Sequence, residues 1–536
     1  MLFNSLPFLL FFLPGAFAGF YLCARLFGKL AIGWLVGVSL FFYGWWNPAY
    51  LILLCSSIVF NYGCGLLILR PTDVPRESFR QGLLVLGVGC NLLLLGYYKY
   101  LFPLLHGFEH FGFHLVRENA SVVLPLGISF FTFTQIGYLV DCKAGMASGR
   151  RFIDYVLFVT FFPHLIAGPI LHQREMLPQF SREETYHIKA ANLAVGVSIF
   201  IVGLAKKVLV ADSFAVHANA LFTHSTAVHS INPPLIVAWL GSMSFAFQLY
   251  FDFSGYSDMA VGLARMFNVR FPANFDSPYR STSIIEYWQR FHMTLTRFLN
   301  LYLYNPIALW ITRRNAGKSA AGSKGTKTAS GFASMVIFPT FFTMFLAGIW
   351  HGAGLQFIIF GVLHGIYLSI NRTWRQLFQR KGQPEATGLS LWFETAWKIS
   401  LTCLAVLIAD IFFRAQSVAD GFSILRSMFL LNGGSLPGNI TRFQAAFAPA
   451  MDFPFLRTRA LISLMVALPF VWTMPNVLQL FSAWEPTFST PRSASPIPLK
   501  WRPTAGWAVF CGFLVVVAVL EIIKSGHASP FLYFQF

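Results

Sequence analysis

The chain is 536 residues long, 56% hydrophobic and only 11% charged, with a mean hydropathy of +0.60 and a formal net charge of +18. Water-soluble domains carry about 25% charged residues, so this composition excludes an ordinary soluble globule and marks an integral membrane protein; its 60 Phe residues suit a lipid-facing surface. The Lys and Arg residues cluster in short loops between apolar runs, where cytoplasmic retention of positive charge accounts for them without nucleic acid.

The segment MLFNSLPFLLFFLPGAFAGFYLC has no basic stretch before its apolar run and reads as a retained first helix, not a cleaved signal. At about 20 apolar residues per span, the first candidates are Phe3–Cys23, Ile32–Trp46, Pro48–Leu69, Gly82–Phe102 and Ser121–Val140. Arg25 and Lys29 follow the first, Arg70, Arg76 and Arg80 the third, and Lys143, Arg150 and Arg151 the fifth. That alternation predicts an N-terminus outside the cytoplasm. Regularity is then lost. FVTFFPHLIAGPI carries Pro163, Gly168 and Pro169 inside an apolar run, the mark of a broken or re-entrant helix buried in protein. Asn192–Val210 reads as a span ending on Lys206 and Lys207, and Leu235–Met259 as one interrupted by the polar YFDFSGYSDMA.

Ser283–Tyr304 predicts an amphipathic helix: on a 100° wheel Arg290 and Arg297 fall within about 40° of Glu286, with Trp288, His292, Leu295 and Leu299 opposite. The Lys/Gly/Ser linker Asn315–Ser330 reads as cytoplasmic, as does the cluster Arg372, Arg375, Arg380 and Lys381. Between them runs FPTFFTMFLAGIWHGAGLQFIIFGVLHG, two apolar helices meeting at Gly348, Gly352 and Gly354 with His351 at the break. An ionisable group at such depth is costly and faces protein or a watered cavity. Leu391–Phe413, Ala460–Val477 and Ala505–Ile523 complete eleven to thirteen spanning or re-entrant helices, with Ala415–Arg459 external. The fold class is all-α, a single polytopic membrane domain over 1–536 with 122–372 as its catalytic core.

Several chemistries compete for His292 and His351. The seven cysteines form no CxxC pair, and no two histidines stand as HxH or HxxxH on a supported helix, so a metal site has little basis. His106, His110 and His114 have comb spacing but read as a solvated helix face. An ion path would need a series of ionisable groups and repeat symmetry. Acyl transfer needs one base for a hydroxyl proton and one donor for the carbonyl oxygen. Either histidine could instead be structural, bonded to a neighbouring helix. Asp252 and Asp258 read as pairing within a polar turn, Trp288 as packing with its indole bonded, and His364, about 220° from His351 on an uninterrupted wheel, as satisfied by a helix partner and under no requirement to face the same cavity.

The segments VLPLGISFFTFTQIGYLVD (Val123–Asp141), FFPHLIAGPI (Phe161–Ile170), YFDFSGYSDMAVGLARMFNVRFPANFDSPY (Tyr250–Tyr279), SIIEYWQRFHMTLTRFLNLYLYNPI (Ser283–Ile307), FLAGIWHGAGLQFIIFGVLHG (Phe345–Gly365), DIFFRA (Asp410–Ala415), MPN (Met474–Asn476) and PFLYFQF (Pro530–Phe536) occur in order along nearly the whole chain. In them the chain resembles the membrane-bound O-acyltransferase family, in the bacterial branch of alginate O-acetyltransferases and teichoic-acid D-alanyl-transfer proteins. The resemblance implies a central funnel, His351 as catalytic histidine, and His292 as second histidine in the WxxxH pattern begun by Trp288. Trp288, Trp350 and Asp252 are then candidates for binding or positioning substrate, with no metal. The family's RRWH, Arg-Asp and YLYIPLG are replaced by Gln289-Arg290-Phe291-His292, Leu299-Asn300 and Tyr304-Asn305-Pro306-Ile307, so the polymer need not be alginate.

The resemblance implies an O-acyltransferase of the bacterial inner membrane with no bound cofactor. It would move an acetyl group from a cytoplasmic thioester, acetyl-CoA first, to a hydroxyl of an exported polysaccharide or of a periplasmic SGNH/esterase-like acetyltransferase. Such an enzyme would work beside the polysaccharide synthesis machinery. The alternatives are D-alanyl transfer from an acyl carrier protein and, in another class, a non-catalytic acyl-group transporter.

Overall fold

The computed structural model describes residues 1–70, 77–107, 123–147, 151–223, 233–316, 326, 328–378, 388–431, 453–526 and 528–532. Among them the chain is helical, without a strand beyond one isolated bridge between Phe271 and Thr487. Nine described stretches are long and apolar enough to cross a bilayer. The first, Phe8–Gly44, doubles back: α1 (Leu13–Phe27) ends at Gly28 with φ +60°, and α2 (Ala31–Gly44) returns so that Phe12 and Phe42 lie 5.4 Å apart. Next come α3 (Ala49–Leu69), α4 (Glu77–Gly107) and the shorter α5 (Ile128–Lys143).

The Pro/Gly-rich segment breaks as its sequence predicts. It forms α6 (Phe152–Thr160), α7 (Phe162–Leu165) and α8 (Gln173–Phe180), and every residue from Phe161 to His172 is buried. Backbone freed by the two prolines and the glycine is thus enclosed by protein rather than lipid.

The centre of the molecule is an antiparallel pair, α9 (Ala190–Phe222) and α10 (Leu235–Met266). Their backbones nearly touch: a Cβ on Gly203 would sit 2.6 Å from the Gly255 carbonyl oxygen, and one on Gly262 2.6 Å from that of Gly196. Only glycine fits such a crossing. Here the structure corrects two expectations. α9 does not stop at Lys206 and Lys207 but continues through a π turn, Lys206–Ala211, to Phe222, and YFDFSGYSDMA does not interrupt α10. The lysines are core residues: Lys206 pairs with Asp258 at 2.6 Å, and Lys207 with Asp252 at 2.6 Å and Asp212 at 2.8 Å. A segment far along the chain seals this ion layer. Ser529 Oγ donates to Asp212 at 2.6 Å, Pro530 O accepts from Lys207 at 3.2 Å, and the Leu532 amide donates to Asp252 at 2.9 Å.

The predicted amphipathic helix Ser283–Tyr304 is not one helix. It divides into α11 (Ile284–Trp288), a link turned by His292 at φ +45°, α12 (Met293–Leu299) and a π turn leading to α13 (Asn305–Ala316). The hydrophobic pattern survives the break because each piece keeps its own buried side. α14 (Ala329–His351) and α15 (Leu355–Phe378) form the expected hairpin, drawn close where Gly348 faces Gly361; a Cβ on Gly348 would lie 2.8 Å from the Gly361 Cα. α16 (Gly388–Arg414), α17 (Val418–Met428), α18 (Phe453–Thr473) and α19 (Ala505–Ser525) close the bundle. His110, His114, Arg380, Lys381, most of the linker Asn315–Ser330 and residues 432–452 of Ala415–Arg459 lie outside the described residues.

Candidate active site

His351 is the last residue of α14; Gly352 is extended and its amide closes the helix on Ile349 O at 3.2 Å. Two side chains from α4 hold this turn. Lys99 Nζ donates to Trp350 O at 2.5 Å and Tyr100 Oη to Ile349 O at 2.6 Å, satisfying carbonyls the helix leaves open. The His351 ring packs edge-on against Phe413 at 4.9 Å and Phe360 at 5.6 Å.

His351 borders two cavities. One, of about 90 Å³, is lined by Trp46, Lys99, Trp350 and residues from Leu124 to Phe130 at the start of α5. The other is an inner chamber of about 20 Å³ that joins His351 to His292, His364 and Asp410 under a lid of Tyr287, Trp288 and Phe291. A chamber of that size holds about one water.

His292 is 1% exposed and occupies the left-handed link, a conformation uncommon outside glycine that Asn, Asp and His adopt more often than other residues. Its Nδ1 lies 3.2 Å from Asn274 Oδ1. Asn274 Nδ2 donates to Ser257 Oγ at 3.0 Å, while its Oδ1 already accepts from Thr294 Oγ1 at 2.6 Å. The network therefore places the His292 proton on Nδ1, and Nε2 of the neutral ring is unprotonated. Phe253 of α10 stacks edge-on at 4.7 Å. His364 has the opposite tautomer. The Trp288 indole donates to its Nδ1 at 3.2 Å, and an indole N–H can only donate, so the His364 proton is on Nε2. His292 with Nε2 unprotonated and His364 with Nε2 protonated both line the chamber, and His351 borders it and the outer cavity alike.

Outside the chamber, Arg290 pairs with Glu286 at 2.7 Å and donates to Asp276 O at 3.1 Å, and Asp276 accepts from Asn476 Nδ2 at 2.8 Å. Burial opposes the Glu286 charge, but the Thr282 amide and hydroxyl and the Arg290 guanidinium hold its carboxyl below the usual range. Among the described residues no three His, Cys, Asp or Glu side chains are grouped to hold a metal ion.

The sequence is similar to those of several known proteins. The peptidoglycan O-acetyltransferase of Helicobacter pylori is 38% identical over 471 residues, which cover 81% of this chain and 81% of the relative. The chain belongs to the membrane-bound O-acyltransferase family. The profile described as MBOAT, membrane-bound O-acyltransferase family, matches residues 121–323. The probable alginate O-acetylase AlgI of Pseudomonas aeruginosa is 36% identical over 441 residues, 80% of this chain and 75% of that protein. The teichoic acid D-alanyltransferase of Bacillus subtilis is 25% identical over 250 residues, 46% of this chain and 59% of its own.

Within this membrane-bound O-acyltransferase, the residues singled out from sequence separate into groups. His351, His292 and Trp288 meet at the chamber, while Trp350 lines the outer cavity and stacks on Phe133 at 5.1 Å. Asp252 lies elsewhere, fixed by Lys207 and the Leu532 amide in the ion layer, which fits the structural reading and not a place in the chamber. His364 is satisfied by a partner, the Trp288 indole, as expected, and it also lines the chamber with His351; the break at Gly352 interrupts the wheel between the two histidines, so its phase does not separate them. Lys99, Asn274 and Asp410 were missed, since nothing in their local sequence distinguishes them from loop, turn or span-end residues.

Proposed function

We propose that this acyltransferase moves an acetyl group from acetyl-CoA, presented on the cytoplasmic side of the bacterial inner membrane, to a hydroxyl on the far side. The acceptor is an exported polysaccharide or a periplasmic esterase-like acetyltransferase that completes the transfer. The observation that carries the reading is the position of His351 between two cavities, so that a base can meet a hydroxyl from one and an acyl carbonyl from the other. The alternation of basic loops supports an outward face for the Trp46–Lys99 cavity. The small inner chamber favours a short acyl group over a fatty one.

In this reading His351 takes the hydroxyl proton, the acceptor oxygen bonds to the acyl carbon, and the thiol leaves with the proton. His364 Nε2–H is the donor aimed at the carbonyl oxygen, and His292 orients the chamber through Asn274. Trp288 fixes the His364 tautomer. The relatives named for peptidoglycan and alginate acetylation support an acetyl group and an envelope polymer.

The test is His351→Gln, which keeps bulk and hydrogen bonding without basicity. A general base contributes about 10²–10⁴-fold in rate, so acetyl on the exported polymer should fall to background at matched protein level. Near-normal acetylation would remove His351 as base and restore the transporter alternative.

A further inference from the structure

A cavity of about 740 Å³ that takes no part in the transfer lies between α9, α18 and α19. α18 and α19 each pack on α9, and Asp212 and Ser529 of the ion layer form part of the cavity wall. Two of its polar side chains hold a buried atom without a hydrogen-bond partner among the described residues. Asn4 is 1% exposed; its Nδ2 donates to Ser529 O at 3.1 Å, and its Oδ1 is unpartnered. His217, in α9, is 8% exposed with its Nδ1 unpartnered. Buried polar atoms are normally bonded, and this space is of the size that takes a small ligand. Charge of both signs surrounds it. Asp212 and Glu521 add carboxylate oxygens, and Arg459 adds a guanidinium on the α18 wall. The Glu521 side chain is 46% exposed and its ion pair with Lys524 is long at 3.7 Å, so that contact holds it weakly. The cavity also borders the lipid-facing surface. Ile462 on its wall is 56% exposed and shares one face of α18 with Met465 and Val466, each 65% exposed. α19 turns Val516, Leu520 and Ile523 outward beside it.

We propose that this cavity binds the headgroup of a phospholipid bearing a primary ammonium, with the acyl chains along the apolar strips of α18 and α19. The three N–H donors of the ammonium match an acceptor-rich wall made by Asn4 Oδ1, the Glu521 carboxylate and the remaining lone pairs of Asp212. The phosphate matches the Arg459 guanidinium. Asn4 is bonded to Ser529 and Ser529 to Asp212, so a lipid seated here also clamps the segment that closes the ion layer. Asn4 lies at the end of the chain that the alternation of basic loops places outside the cytoplasm, which assigns the lipid to the outer leaflet. A saccharide fits less well: no Phe, Tyr or Trp among the described residues lines the cavity to stack on a sugar ring, and its mouth borders lipid. The inference is independent of the assignment of His351 as base.

The test uses full-length protein in detergent micelles and native mass spectrometry, with POPE, POPC or POPG added one at a time. The three share their acyl chains and the phosphate, and only POPE carries N–H donors on a cation. POPE should bind about tenfold more tightly than POPC and POPG, the worth of one charge-assisted hydrogen bond. Glu521→Gln removes the carboxylate at a half-exposed position and should bring POPE down to the level of POPC. Arg459→Gln, also at an exposed position, should weaken all three lipids alike. Equal affinities for the three lipids in the wild-type protein overturn the proposal, as does either variant binding POPE as the wild type does. No retained adduct overturns it too and leaves a cavity filled by water. Displacement of POPE by an alginate oligomer would assign the cavity to a polymer and overturn the lipid.

Discussion

The buried ion layer offers a quantitative test of what holds α9 and α10 together. Lys207 has 2% of its side chain exposed and Asp252 4%, so neither charge is relieved by water. Lys207 serves Asp252, Asp212 and the Pro530 carbonyl at once. Lys207→Met preserves length and apolar volume but leaves Asp252 with the Leu532 amide as its remaining partner among the described residues. Breaking one side of a buried pair costs about 3–5 kcal/mol, whereas removing both sides is often nearly neutral. Lys207→Met should therefore destabilise the protein by about 3–5 kcal/mol, and adding Asp252→Asn should recover most of the loss. The assay is reversible unfolding in mixed micelles, read as a double-mutant cycle, with proteolysis near Ser529 reporting release of that segment. A Lys207→Met protein as stable as wild type, or a double variant no better than the single one, would refute the account.

Two further outcomes follow from the polar contacts around the chamber. Asn274→Ala removes the acceptor that keeps the His292 proton on Nδ1 and orphans Ser257 and Thr294 as well, so stability should fall by about 1–3 kcal/mol and the activity of the folded fraction by about 10²-fold; an unaffected rate per folded molecule would separate the His292 tautomer from function. The Glu286 carboxyl is held lower in the folded protein than in the unfolded chain, so its pairing contributes fully above the unfolded value of about 4.3 and is lost as pH falls through the lower folded value. Glu286→Gln should melt below wild type at neutral pH, with the gap closing in acid; a constant gap across that range would show that the charge is not the source.

Where apolar length and glycine placement decide the structure, the sequence was a sufficient guide. The hairpin at His351, the broken Pro163–Pro169 segment and most spans read directly from it. Long-range pairing was not legible. Lys206 and Lys207 looked like a span end because the carboxylates that permit their burial lie on another helix. The wheel over Ser283–Tyr304 failed for a related reason: a left-handed residue in the middle of a periodic pattern leaves no mark on hydrophobic spacing, and His292 is bulky where glycine or asparagine would signal the turn. That His364 shares the chamber with His351 was not legible, because one helical phase does not carry across Gly352. Asp410 was visible only as part of DIFFRA, since an apolar span ending in an acid and a basic residue resembles any membrane boundary.

The Lys207–Pro530 contact also has a bearing on biosynthesis. Its partners stand 323 residues apart, and at about 5–20 residues per second of translation the second follows the first by roughly 16–65 seconds. Asp252 is made soon after Lys207, but the Pro530 carbonyl and the Leu532 amide are not yet there to complete the layer. For that interval the nascent bundle holds a charged centre with unfilled valences, a state that membrane proteases and insertases can distinguish from the finished protein. Ribosome stalling or premature release before this segment would leave a molecule whose transmembrane helices are all inserted yet whose interior advertises that synthesis did not finish.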